Sequence, residues 1–182
     1  MDTAALLRDL GKWRDSYAAD ARVPLAKHLA WSEAIDAFLC ADLAFAQGKT
    51  AADVEALLEP ALDGTIECPP ALALRGLLHL ERGRLTKALA DAERALRLDA
   101  WEARAYYVRG RVRLERGDSE ALADLDRAAL LTKRSDGIIL HWLAAAEVQA
   151  GKRAEALATA SEAAALRPDD ADIRAQIRDL KK

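Results

Sequence analysis

Aromatic side chains make up only 5% of this 182-residue chain, and proline (5 copies), glycine (9) and cysteine (2) are also thin on the ground. So few chain-turning residues leave room for short connections only. Cys40 and Cys68 form no CxxC pair and have no two histidines near them, which excludes a zinc site and leaves two free thiols, a pattern that suits a reducing compartment. The formal net charge of -3 supplies no basic surface to displace counterions, so nucleic acid is not an expected partner. No stretch reaches the roughly 18 apolar residues of a membrane span. The opening MDTAALLRDLGKW starts with an acid at Asp2, and Arg8 and Asp9 interrupt its apolar run, so it does not read as a signal peptide. A cytoplasmic location is the expectation.

What the chain has in quantity is alanine, which dominates a hydrophobic share of 52%, set against 31% charged residues. That balance belongs to a foldable chain, one that buries about 70% of its surface if compact. Alanine has almost no side-chain entropy to lose in a helix. The expectation is therefore an all-α protein.

A period is written in the glycines. Gly83, Gly117 and Gly151 lie 34 residues apart, and Gly48 precedes Gly83 by 35. The phrase LERG ends at the first two of these positions, at Leu80–Gly83 and Leu114–Gly117. Seven residues before each glycine stands a small residue: Ala41, Gly76, Gly110 and Ala144. Alanines follow it in two columns, Ala88, Ala121 and Ala156, then Ala95, Ala128 and Ala163. Small residues at fixed positions let two helices approach closely, and a glycine suits the point where the first helix ends and the chain turns. Two helices of about 12–14 residues with short turns fill such a period, and pairs of this kind stack because one cannot bury its own apolar face.

These columns resemble the tetratricopeptide repeat. The segment ALALRGLLHLERGRLTKALADAERALRLD, from Ala71 to Asp99, carries the family's small residue at position eight, its turn glycine, its two alanines and its closing Leu-Asp. The last repeat, Gly137 to Asp170, ends in ALRPDD with Pro168 at the family's proline position. The middle repeat departs: it lacks a bulky residue between Asp118 and Ser119, and an extra residue near Ser135 restores the period. Arg75 and Arg109 replace the usual leucine seven. The implied fold is a right-handed superhelix of antiparallel helix pairs. Its expected units are an N-terminal helical extension (1–30), a degenerate repeat (31–68) whose second helix Pro60 should kink or end, repeats at 69–102, 103–136 and 137–170, and a capping helix (171–182). Asp169 and Asp170 suit the start of that last helix, and Ile173, Ile177 and Leu180 mark its buried face. Near the other end, Leu6, Leu10, Trp13 and Tyr17 predict a helix over residues 3–19 that packs on the first repeat or binds a partner, and Pro24 can open a further one.

No convergent catalytic set is visible. There is no nucleophile elbow, phosphate loop or HExxH, and His79 stands where the family has a core tyrosine, which predicts a half-buried packing role. No cofactor, no metal and no enzyme activity are expected. The resemblance instead directs attention to the concave face, lined by the first helix of each pair. Carried onto this sequence, that face includes Ile35, Phe38, Asp42 and Phe45; Pro70, Ala73, Leu77 and Leu80; Arg104, Tyr107, Arg111 and Leu114; and Ile138, His141, Ala145 and Val148. Arg104 and Arg111 are two helical turns apart with Tyr107 between them. Free guanidiniums beside a ring suit a carboxylate or an acidic peptide. The competing reading has these arginines pair with Glu102, Glu115 or the acidic helix after Gly117. Arg109, Arg113 and Arg116 read as surface. The Lys/Asn clamp with which some members hold a chaperone's C-terminal carboxylate is not expected, because Phe38, Asp42, Ala73 and Leu77 occupy its positions.

The expected function is a non-catalytic adaptor or assembly module that binds a protein segment in this groove. The alternatives are a self-associating scaffold and a regulatory domain of a larger complex. A monomer or weak homodimer is expected.

Overall fold

The computed structural model describes residues 25–63 and 66–182. The expected helix at 3–19 and Pro24 lie outside the described residues. Among the described residues there are nine α-helices and no strand: α1 (Leu25–Ala46), α2 (Ala51–Leu62), α3 (Pro69–Glu81), α4 (Leu85–Leu98), α5 (Ala103–Glu115), α6 (Ala121–Leu131), α7 (Gly137–Gln149), α8 (Arg153–Leu166) and α9 (Ala171–Leu180). The helices α3, α5, α7 and α9 begin at residues 69, 103, 137 and 171, where the period places the repeat starts. The expected boundary between residues 30 and 31 falls inside α1, which runs unbroken for 22 residues because nothing in it is glycine or proline. Proline 60 does not stop α2 at once. The helix passes through it and ends two residues later at Leu62.

Each period glycine does the same work. Gly48, Gly83, Gly117 and Gly151 have φ between +68° and +75°, the left-handed region where a Cβ is costly. There the chain closes each first helix with a paired backbone cap: Gly83 N–H donates to Leu80 O at 2.9 Å, and Arg84 N–H to His79 O at 2.8 Å. The middle repeat turns differently at its other end. Lys133 and Arg134 both take positive φ, 53° and 54°, and Arg134 N–H reaches back to Ala129 O at 2.7 Å. This left-handed pair absorbs the extra residue near Ser135 after a short, 11-residue α6.

The pairs α1/α2, α3/α4, α5/α6 and α7/α8 pack antiparallel and stack, so that α1, α3, α5 and α7 form one row and α2, α4, α6 and α8 the other. The small residues make the close approach possible. A Cβ at Gly110 would sit 2.8 Å from Leu125 Cγ, and one at Gly76 3.3 Å from the backbone oxygen of Ala88. Ala41 and Ala144, in the same column, are fully buried. Core leucines and valines such as Leu74, Val108, Leu125 and Leu140 fill the space between pairs. Ile173 and Leu180 of α9 cover the end of the last pair.

The two arginines at position seven are part of this packing. Arg75 of α3 holds Asp91 of α4 through two bonds of 2.7 and 2.6 Å. One repeat on, Arg109 of α5 holds Asp124 of α6 at 2.8 and 2.7 Å. Arg113 adds a second guanidinium to Asp124 at 2.7 Å. In the fourth repeat the pair gives way to Leu143 and the buried hydroxyl of Thr159.

Candidate functional site

A concave cavity of about 930 Å³ runs along the inner row. Its floor is apolar and aromatic, with Phe38 of α1, Leu77 of α3 and Tyr107 of α5. Its mouth carries side chains that water still reaches: Leu98 and Trp101 at the α4–α5 turn, 44% and 70% exposed, and Ile138 of α7, 41% exposed. A smaller hollow of about 540 Å³ adjoins it, where Asp42, Phe45, Arg104 and Arg167 meet.

Of the eight expected groove residues, Phe38, Phe45, Leu77, Arg104 and Tyr107 line the main cavity. Asp42 lines the adjoining hollow. Arg111 and His141 line neither, and both are engaged elsewhere. The Arg111 guanidinium lies 3.3 Å from the centroid of the Trp142 ring and donates to Tyr107 Oη at 3.0 Å. A flat cation stacked on indole inside the stack is a packing element more than an open hand. His141 faces the last helix. Its Nδ1 lies 2.8 Å from Gln176 Oε1, and Gln176 Nε2 donates to the His141 carbonyl at 3.2 Å. The amide oxygen can only accept, so Nδ1 carries the proton. Ala73 and Leu80, also expected on this face, are buried in the core.

Arg104 reaches the cavity but is not free. Its Nη2 pairs with Asp42 Oδ1 at 2.7 Å, and both side chains are largely shielded from water. The pair joins α1 of the first repeat to α5 of the third, across the second. A carboxylate from this chain therefore already occupies the position expected for a ligand's carboxylate. Similarly, the Tyr107 hydroxyl is held above its usual range by burial, against the pull of Arg111.

The carboxylates at the cavity wall were not among the expected site residues. Glu102 caps α5, accepting from Arg104 N–H at 3.1 Å. Asp136 caps α7, accepting from Ile138 and Ile139 N–H at 2.9 and 3.3 Å. Asp99 accepts from Trp101 N–H at 2.8 Å. Glu81 closes α3 and makes no ion pair among the described residues. Burial raises the carboxyls of Glu102 and Glu81 above their ordinary value; at Glu102 the charge of Arg104 offsets this only in part. For Glu102 and Asp136 the signal was present: an acid directly before a helix start is a capping residue.

The chain matches no family model and no curated protein. Solved structures do resemble it. The first TPR domain of the human RPAP3 protein superposes with a TM-score of 0.56 at 18% identity, over 62% of this chain and 89% of that domain. A mutant of MamA superposes with a TM-score of 0.62 at 16% identity, over 85% of this chain and 87% of that one. The fold is that of the tetratricopeptide repeat. At such identities the likeness is one of architecture, and it agrees with the periodic glycines and the paired helices.

In this tetratricopeptide stack no described group of three or more His, Cys, Asp and Glu is arranged to hold a metal ion. No described helix is long and apolar enough to cross a membrane. His79 is half-buried and 3.9 Å from Asp91, and burial lowers its pKa. Cys68 is fully buried, with its thiol pushed up to about 11 by that burial.

Proposed function

We propose that the concave cavity holds a segment of a protein partner and that the chain acts as an adaptor or assembly module without chemistry of its own. One observation carries this reading: a groove of about 930 Å³ with an aromatic and aliphatic lining ends in the water-exposed side chains of Leu98, Trp101 and Ile138. Grooves between helices that expose apolar side chains bind an amphipathic segment through a few anchor contacts. The tetratricopeptide fold agrees with it. An acidic ligand, the expectation raised by Arg104 and Arg111, finds less support, since Asp42 and Trp142 already hold those guanidiniums.

A peptide library displayed on phage and selected on the full chain tests this. Selected peptides should lose roughly tenfold or more in affinity for Trp101→Ala/Ile138→Glu protein, as expected when interface anchors are removed. Both changes are at exposed positions, so the core is untouched. Undiminished binding to the double variant would place the interaction elsewhere on the surface.

A further inference from the structure

The cavity has an apolar floor and a wall of one charge. Among the described residues, five carboxylates line it, from Glu67, Glu81, Asp99, Glu102 and Asp136, against the single guanidinium of Arg104. Arg94 answers Glu67, and Arg104 is taken by Asp42. Four carboxylates remain with no ion-pair partner among the described residues. They come from four places in the fold, the end of α3, the turn after α4, the cap of α5 and the cap of α7, and they line one cavity because the repeats stack.

We propose that this groove takes a partner segment bearing lysine or arginine residues beside its apolar face, the cations settling beside the wall carboxylates of Glu81, Asp99, Glu102 and Asp136 while the apolar side chains lie on Phe38, Leu77 and Tyr107. The proposal rests on the docking reading above and specifies its ligand. Charge complementarity is the argument. A cleft lined by one sign of charge, with low-dielectric walls, focuses its field into the space between them. The only cation among the described residues of that lining is paired with a carboxylate of the chain itself, at 2.7 Å. An acidic segment would meet four carboxylates that have no ion-pair partner among the described residues, with Arg104 offsetting only part of the burial effect at Glu102. A purely apolar one would take those carboxylates out of water without a partner, which is costly. A basic amphipathic one answers both surfaces. The raised carboxyls of Glu81 and Glu102 are what burial without a sufficient counter-charge produces.

The test uses three synthetic amphipathic helices with the same leucine and phenylalanine face and with lysine, glutamine or glutamate at the polar positions. Each is titrated into the full chain by calorimetry. The expected order is lysine, then glutamine, then glutamate, with lysine ahead of glutamine by roughly tenfold or more. Added salt should narrow the gap. Glu81→Gln/Glu102→Gln should bring the lysine and glutamine peptides close together. Glutamine keeps an oxygen to cap α5, so that variant should fold. Glu155→Gln, at an exposed position of α8, should leave the ratio unchanged and so separates the groove from the general negative charge of the protein. Equal binding of lysine and glutamine peptides, or preference for glutamate, overturns the charge assignment while the docking reading stands. Failure of all three to bind overturns both.

Discussion

Cysteine 68 and lysine 133 show how far local environment reshapes single residues. Cys68 stands directly before α3, fully buried, and its thiol titrates near 11 where an ordinary thiol titrates at 9.0. Cys40 is exposed. Iodoacetamide at pH 8 should therefore alkylate Cys40 and spare Cys68 in the native protein; equal labelling would mean that the α2–α3 junction opens readily. The sign of the linkage follows. An unfolded thiol loses its proton from about 9 while the folded one keeps it to about 11, so stability is full below that window and falls as pH rises through it. Lys133 is exposed and held at φ 53° with a Cβ that the left-handed region disfavours. Lys133→Gly should stabilise by about 1 kcal/mol, and Gly83→Ala, at φ +68° with open space around it, should cost about the same. Urea midpoints of the two variants check this, and a destabilised Lys133→Gly would show that the side chain contributes more than the strain.

Between helices, the arginine at position seven has become a structural tie. Asp124 is buried beneath two guanidiniums, from Arg109 and Arg113. Asp124→Ala removes the charge that compensates both and should cost about 3 kcal/mol. The fourth repeat supplies the remedy, since leucine and threonine fill the same two places there, at Leu143 and Thr159. Arg109→Leu/Asp124→Thr should regain most of that loss, with Arg113 still held by Glu120 at 2.5 Å. Thermal unfolding of the single and double variants decides it. If the double variant is as unstable as the single, the Arg113–Asp124 contact carries the energy and the swap argument fails. Position seven was legible as a departure from the family pattern, but its acid partner was not. The missing residue after Asp118 shifts the register of α6, so Asp91 and Asp124 do not align by counting from the glycines.

Across the molecule, stability in a stack is close to a sum of repeats and the interfaces between neighbours. The Arg104–Asp42 pair breaks that rule by joining the first repeat to the third. Asp42→Ala should therefore loosen the first repeat more than the last, at a cost of about 2 kcal/mol. Hydrogen exchange should quicken in α1 and α2 and stay unchanged in α7, α8 and α9. Uniform loosening of all repeats, or none, would show that the pair does not tie the ends of the groove together.

The sequence by itself determined the period, the turn glycines, the small residues where helices touch and the starts of α3, α5, α7 and α9. These are local or nearest-neighbour matters: a left-handed turn needs glycine, and close helices need small side chains. The resemblance to the tetratricopeptide repeat put Phe38, Leu77 and Tyr107 on the inner face, where they line the cavity. Only the tertiary structure decided what that face offers. Arg104 meets Asp42 from two repeats away, Arg111 lies on Trp142, and Gln176 reaches His141 from the capping helix. The charge of a groove is a sum over residues brought together by stacking, after internal pairs have cancelled. Neither the stacking distance nor the cancellation is written in the spacing of any one helix. That is why a groove read along one helix as basic is, in three dimensions, walled by carboxylates.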